Sequence, residues 1–469
     1  MDTKNTDKTK YKGEDKVIII GAGPAGLATA RALAALDIPY VIYEKHKNVG
    51  GIWDLENEGS PMYESAHFIS SKTMSGHVGF PMPQSYPDYP SNKQIFNYIQ
   101  SFAEHYDLLK NICFETKVTY VEYVDGKWRL EAEDKNGSSF TDESPWLVCA
   151  SGTNWFKNQP GLRGQENFTG ELIHSVDYHD PQTLKNQRVL VVGAGNSGVD
   201  IACDAAYMGA DAYISLRRGY HFVPKHIFGM PADVFGAQSD WMPIKLSQLV
   251  FGGLLRMING DLTRLGLQKP DHKVLSSHPI LNTQLLHYLQ HGDIKAKPDI
   301  AYLEGKNVHF VDGSAAEVDK LILATGYDWK LPYLGESYFE WKSNRPQTFM
   351  KIFNPKHPGL FINGFIETNG GAYKLFDDMA YLIARTIEAQ QKYPEKARKI
   401  QSFIQGSEPD LGGKVQYVSS NRHQGYTNSN TFKKAMKDMR REFQWPDLDE
   451  HFFKRLDAPG AELKEVLAS

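Results

Sequence analysis

Residues 16–45 read KVIIIGAGPAGLATARALAALDIPYVIYEK, and three glycines in that stretch decide the fold class. Val17 to Ile20 are all β-branched, as in a strand buried on both faces; an Ala/Leu-rich helical run and a second strand, PYVIY, follow. Gly21, Gly23 and Gly26 fall at the spacing G-x-G-x-x-G, with Pro24 and Ala25 between the last two at the helix start. Gly21 permits a tight turn, Gly23 lets a pyrophosphate approach the backbone, and Gly26 lets helix and strand pack closely, with the helix N-terminus facing the phosphates. Glu44 ends the second strand, where a carboxylate accepts hydrogen bonds from a ribose. A lone glycine pattern is weak, but here strand, turn, helix, second strand and acid agree, which predicts a complete dinucleotide-binding βαβ unit.

The pattern returns in RVLVVGAGNSGVDIACDAAYMGADAYISLRRGY, residues 188–220, through Gly193, Gly195 and Gly198, with Asn196 and Ser197 inside the loop. Here the second strand, DAYISL, ends in Arg217 and Arg218 instead of an acid. A carboxylate repels a ribose 2′-phosphate, whereas guanidinium groups bond it, so the second site is expected to prefer NADPH over NADH. A solvated arginine pair beyond a strand end is the alternative. Two dinucleotide sites of unlike ribose chemistry suggest a flavoprotein reduced by a nicotinamide. FAD is assigned to the first site, because GGIWD supplies flexible backbone at Gly50 and Gly51, then Ile52 and an aromatic wall at Trp53.

The 469 residues allow two to four domains; 41% hydrophobic and 23% charged residues suit a water-soluble globular chain. A net charge of -4 gives no basic footprint for nucleic acid, and no nucleic-acid partner is expected. The polar start, MDTKNTDKTKYKGED, lacks a signal-peptide core and reads as a disordered tail over 1–15. The most apolar run, LSQLVFGGLLRMI, is too short and interrupted for a membrane span and reads as an amphipathic surface helix, while the C-terminal RLDAPGAELKEVLAS is polar. No membrane anchor and a cytoplasmic location are expected. Cys113, Cys149 and Cys203 are far apart, which predicts buried reduced thiols and excludes the paired cysteines of disulfide reductases. His272 and His278 have no metal-ligand spacing with acids or cysteines, and no metal is expected.

The strand-turn segments WLVCASGT (146–153) and LILATGYDW (321–329) bracket the second unit, as the entry and exit of an inserted domain do. The expected fold is α/β: two Rossmann-like dinucleotide-binding domains, the NADPH domain (156–329) inserted in a discontinuous FAD domain (16–155 and 330–469). Residues 219–280, including HFVPKHIFGMPADVFG, exceed an ordinary connection and predict a helical insertion over the NADPH site that contributes to substrate access.

These motifs resemble the flavin-containing monooxygenases, the class B flavoprotein monooxygenases, in a bacterial-type form. The resemblance runs from about residue 16 to about residue 390. It rests on GAGPAG, GAGNSG, GGIW, the segment KTMSGHVGFPMPQSYPDYPSNKQIFNYIQSFAEHYDLL, ATGY at 324–327, and FTGELIHSVDY at 168–178. The last fits the family pattern F-x-G-x-x-x-H-x-x-x-(F/Y/W) through Phe168, Gly170, His174 and Tyr178. The resemblance implies that NADPH reduces FAD, that O₂ adds at flavin C4a to give a hydroperoxide, and that NADP⁺ stays bound to shield it. A small-molecule substrate, either an amine or sulfide or a ketone in a Baeyer–Villiger insertion, then takes the distal oxygen. An uncoupled NADPH oxidase releasing H₂O₂ and a non-catalytic nucleotide-binding redox sensor remain alternatives. A homodimer is left open.

The resemblance adds Ser70, Val118, Thr325 and Gly326 to the cofactor-binding set. By analogy with other two-dinucleotide flavoproteins, Gly370 and Gly371, at the turn before the helix YKLFDDMAYLIARTIEA, approach the flavin. The Asn196 amide is expected either to bond cofactor or peroxide or to cap its own loop. Many family members carry an asparagine shortly before K-x-M-S; aligned on Lys72, Met74 and Ser75, this chain has Ile69. His67, Ser70 or Ser71 then substitutes, or the peroxide leaks. FTGELIHSVDY itself reads as a linker, too polar for a buried strand. His174 in it is expected to set the separation of the two cofactors, with general-base chemistry as the alternative.

Overall fold

The computed structural model describes residues 15–239, 241–420, 423 and 425–456; the expected disordered tail, apart from Asp15, and the last residues of the C-terminal segment lie outside these. Two five-stranded sheets organise the chain. The first runs Leu360–Ile362, Trp146–Cys149, Val17–Ile20, Tyr40–Tyr43, Ile112–Cys113, with neighbours parallel. Its central strands are wholly buried, as the unbroken apolar runs require of a sheet covered on both faces. Segments from both ends of the chain therefore share one sheet.

On one face the helix Pro24–Ala34 packs against the helix Tyr373–Lys392. Between them Arg31 and Asp377 form a fully buried ion pair at 2.8 Å, with the guanidinium 3.6 Å from the Phe453 ring centroid. The antiparallel strands Thr116–Val124, Lys127–Asp134 and Ser139–Ser144 cover the other face, where Val121, Trp128 and Leu130 pack on Ile18 and Ile20.

The second sheet runs Ile294–Lys297, Asp211–Ser215, Arg188–Val192, Lys320–Leu323, Glu171–His174, also parallel. FTGELIHSVDY is thus not a linker, contrary to the sequence expectation. Glu171–His174 is the edge strand of this sheet and runs into a 3-10 turn, Ser175–Asp177. An edge strand needs a ladder on one side only and half the burial of a central strand, so Glu171 faces solvent and the polar composition misleads. The chain crosses between the sheets instead at the short antiparallel pair Phe156–Lys157 and Tyr327–Asp328.

Segment 219–280 is mixed and not wholly helical: a small hairpin, His226–Ile227 with Met230–Pro231, precedes the helices Ala232–Ala237 and Ile244–Asn259. The second helix carries LSQLVFGGLLRMI on the surface, with Leu249 and Met257 exposed. Among the described residues no helix is long and apolar enough to cross a membrane, and no group of three or more His, Cys, Asp or Glu is placed to hold a metal. None of the three cysteines is in a disulfide; Cys149 and Cys203 are buried, and burial pushes the Cys149 thiol up to about 12.

Candidate active site

Both glycine loops open onto one cavity of about 2200 Å³. Gly21 has φ +105°, and a Cβ there would stand 2.7 Å from the Ala150 carbonyl oxygen. A Cβ on Gly26 would stand 1.9 Å from the Gly21 oxygen, so only glycine lets the helix approach the strand this closely. Gly193 (φ +108°) and Gly198 repeat the arrangement, with Cβ positions 2.6 Å from the Ala324 oxygen and 2.1 Å from the Gly193 oxygen. Gly23 and Gly195 cap the two helices without any side-chain bond, leaving the first backbone N–H groups for an anion. Both cradles therefore fit a pyrophosphate.

Around the first loop the wall comprises Pro24, Ala25, Glu44, Gly51, Ile52, Trp53, Ile69, Ser70 and Val118. The buried Glu44 accepts the Ala22 N–H at 2.7 Å and the His46 N–H at 2.9 Å, and His46 Nδ1 stands 3.1 Å from the same carboxylate, so Glu44 braces the loop. Gly51 (φ +58°) lies against Gly23, and Trp53 meets Phe68 edge-on at 5.2 Å. Gly370 and Gly371 close the wall before the long helix Tyr373–Lys392. A Cβ on Gly371 would stand 2.7 Å from the Met74 oxygen. Around the second loop stand Ser197, Arg217, Arg218, Thr325 and Gly326.

Asn196 lines the cavity, but its amide is engaged: Nδ2–H donates to Pro279 O at 3.3 Å and Oδ1 accepts the Leu281 N–H at 3.1 Å. It ties the glycine loop to the end of the insertion. His174 is buried; Nδ1 accepts the Val176 N–H at 3.1 Å, which leaves the proton on Nε2 to donate to Gly326 O at 3.1 Å. Burial holds its pKa below the ordinary 6.5. With both ring nitrogens engaged by backbone, His174 braces the crossing strands. Gly326 O also accepts the Asn158 N–H, and Thr325 Oγ1 donates to Asn158 O at 2.5 Å.

Near Ile69, Ser71 caps a short helix through Met74 N–H, and its own N–H donates to Asp233 of the insertion at 2.7 Å. His67 is exposed and bonded to Ser65 O at 2.8 Å. Ser70 is therefore the hydroxyl beside Ile69 on the cavity wall with no competing bond among the described residues. Sequence reading missed several wall residues: Tyr63, Asp200, Asp233, and Lys414 and Asn428 from the C-terminal segment. Asp200 carried one signal, a carboxylate on a helix stretch otherwise made of Val199, Ile201, Ala202 and Cys203.

Residues 14–438 match the family model described as Flavin-binding monooxygenase-like. An indole-3-pyruvate monooxygenase, YUCCA8 of Oryza sativa subsp. japonica, is 31% identical over 68% of this chain and 77% of its own length. Human flavin-containing monooxygenase 5 is 28% identical over 87% of this chain and 79% of its own length. The fold is also that of Tmm from Pelagibacter sp., with TM-score 0.67 at 21% identity over 94% of this chain and 89% of that one. A closed cyclohexanone monooxygenase superposes with TM-score 0.65 at 16% identity, over 91% of this chain and 97% of that one. With both cradles suited to dinucleotides, the chain belongs to the flavin-binding monooxygenase-like family and is a flavin-dependent monooxygenase.

Proposed function

We propose that the protein oxygenates a small, uncharged soft nucleophile, a sulfide or a free amine, at the expense of NADPH and O₂. One observation carries this: the cavity shared by the two glycine loops is walled on the insertion side by Met242, Ile244, Phe251, Leu255 and Val274, which offer an apolar solute a dry surface. In this reading the first loop, Glu44 and the GGIW turn hold FAD, and the second loop with Arg217 and Arg218 holds NADPH. The FAD domain comprises 16–155 and 330–469, and the NADPH domain 156–329.

FAD held by the first loop, Glu44 and the GGIW turn would supply the hydride acceptor and the means of O₂ activation. The chain's own part is placement and water exclusion. The helix N-termini at Gly23 and Gly195 would offset the charge of the pyrophosphates, Trp53 and Phe68 would wall the flavin's part of the cavity, and Ser70 would offer a hydroxyl there. Asp233 fastens the insertion to Ser71, which keeps the apolar wall over the cleft. No general base is required, in keeping with a His174 whose nitrogens are occupied.

The test is turnover of the holoenzyme with a thioether, a tertiary amine and a cyclic ketone, following NADPH, O₂, H₂O₂ and oxygenated product. Sulfoxide or N-oxide in proportion to NADPH supports the reading; lactone as the main product moves it to Baeyer–Villiger chemistry. A second reading is an NADPH oxidase, favoured by one observation: Ile69 presents hydrocarbon where many relatives have an amide. Quantitative H₂O₂ with no product from any of the three identifies it.

A further inference from the structure

The helix Asn196–Tyr207 opens at the second glycine loop, and two of its carboxylates are gripped from the first unit. Asp200 accepts the Tyr63 hydroxyl at 3.1 Å and the Asn282 amide at 2.7 Å. Asp204, one turn on, accepts the Ser65 hydroxyl at 2.6 Å and the Tyr178 hydroxyl at 2.8 Å. The Tyr63 hydroxyl also meets the side chain of Ser197, inside the glycine loop. Tyr63 and Tyr178 are buried against each other, with ring centroids 5.7 Å apart. Tyr178 is the last aromatic of the F-x-G-x-x-x-H-x-x-x-(F/Y/W) pattern, so that stretch braces the crossing strands through His174 and the helix through Tyr178.

Burial pushes both carboxyls above the ordinary aspartate range. Such groups are costly unless hydrogen-bonded, and here neutral donors supply the bonds. The loop that provides two of them, residues 62–66, is also held by Asn92 Nδ2 on Tyr63 O at 2.7 Å and by the Glu64 N–H on His179 O at 2.9 Å. It runs directly into Phe68, Ile69 and Ser70, the wall facing the first glycine loop. A shift of Tyr63 or Ser65 therefore moves that wall relative to the second loop.

We infer that Asp200 and Asp204 are positioning residues that clasp the 62–66 loop through Tyr63 and Ser65, and so set the gap across which hydride passes from NADPH to FAD. The inference rests on the assignment of those cofactors to the two loops. Neither aspartate touches the reacting atoms; each acts through a hydroxyl of the first unit. A brace serving stability alone would lower the melting temperature when cut and leave hydride transfer unchanged.

The test uses Tyr63→Phe, Ser65→Ala and their double variant, each removing only hydroxyl oxygen, with Ser65→Thr as the conservative control. In the holoenzyme, anaerobic flavin bleaching at saturating NADPH slows about tenfold in the double variant, the scale expected for a sub-ångström misplacement of reacting atoms. The KM for NADPH changes much less, and Ser65→Thr keeps the rate. In the apoprotein, backbone hydrogen exchange over 62–71 accelerates. An unchanged saturating rate overturns the inference, as does a loss in Ser65→Thr equal to that in Ser65→Ala. If the wild type is reduced by neither nicotinamide, the functional reading has failed; exchange over 62–71 that is unaltered in the double variant overturns the clasp in either case.

Discussion

Nε2 of His174 lies 3.1 Å from the carbonyl oxygen of Gly326, joining the edge strand of the second sheet to the turn where the chain returns to the first. His174→Ala leaves the Val176 N–H without its acceptor and removes a donor from Gly326, a loss of about 1–3 kcal/mol. Chemical denaturation gives the cost, and flavin reduction by NADPH gives the effect on cofactor separation. Wild-type values of both would exclude either role for this residue.

The same histidine makes stability depend on pH. Burial lowers its folded-state pKa below the 6.5 of the unfolded chain, although the Gly326 bond and Asp177 oppose that shift. Between the two values the unfolded state binds more protons, so stability is full above about 6.5 and falls as acid is added, until the folded pKa is passed. His77, also lowered chiefly by burial, acts with the same sign, while Asp200 and Asp204, raised by burial, act oppositely, their contribution beginning above the ordinary aspartate value of 3.8. Urea midpoints from pH 7.5 down to roughly 5.5 are expected to fall less in His174→Asn than in wild type.

Buried charge pairs give a stronger stability prediction. Asp377 accepts Arg31 at 2.8 Å, His77 Nδ1 at 2.9 Å and the Val78 N–H at 2.7 Å, and is fully buried. Asp377→Asn leaves Arg31 charged in an aromatic cage, at a cost of about 3–5 kcal/mol. The drop in the urea midpoint measures it. A variant as stable as wild type would mean that Phe453 and its neighbouring rings suffice to hold the guanidinium.

In the proposed reading, ribose recognition divides between the two units. Arg217→Ser with Arg218→Ser is expected to raise the KM for NADPH by roughly 10- to 100-fold, the loss of one charge-assisted bond to a 2′-phosphate, with little change for NADH. Initial rates with each nicotinamide decide. Equal losses with both would place the arginines on the pyrophosphate.

The two glycine loops were legible in the sequence because everything they need is local: a β-branched strand, a turn that excludes Cβ, and a helix start within a few residues. The Glu171–His174 strand was not, because edge strands lack an unbroken apolar run. The clasp was also invisible, since Tyr63 and Asp200 are 137 positions apart and neither belongs to a spaced motif. Arg31 and Asp377, 346 positions apart, read singly as ordinary helix-surface charges; only the packing of the two helices makes them a buried pair. Asn196 stands in the second loop by sequence position alone, but the partner of its amide depended on how 279–281 return, which no local pattern encodes.

Ile69 provides the sharpest test of coupling. Its half-buried side chain lines the cavity beside Ser70, with Ser71 committed to a helix cap and His67 turned to its own loop. Hydrocarbon there would donate no bond to oxygen activated on a bound flavin, so the wild type is expected to lose a minor share of the NADPH consumed to H₂O₂ beside its oxygenated product. Ile69→Asn adds an amide donor with the same number of side-chain heavy atoms, and a bond worth about 1 kcal/mol slows peroxide loss roughly fivefold. Peroxidase-coupled assay of H₂O₂ per NADPH, without substrate and then with a thioether, gives the readout. An unchanged ratio in Ile69→Asn would shift the protection to Ser70, and Ser70→Ala should then raise H₂O₂ release on its own.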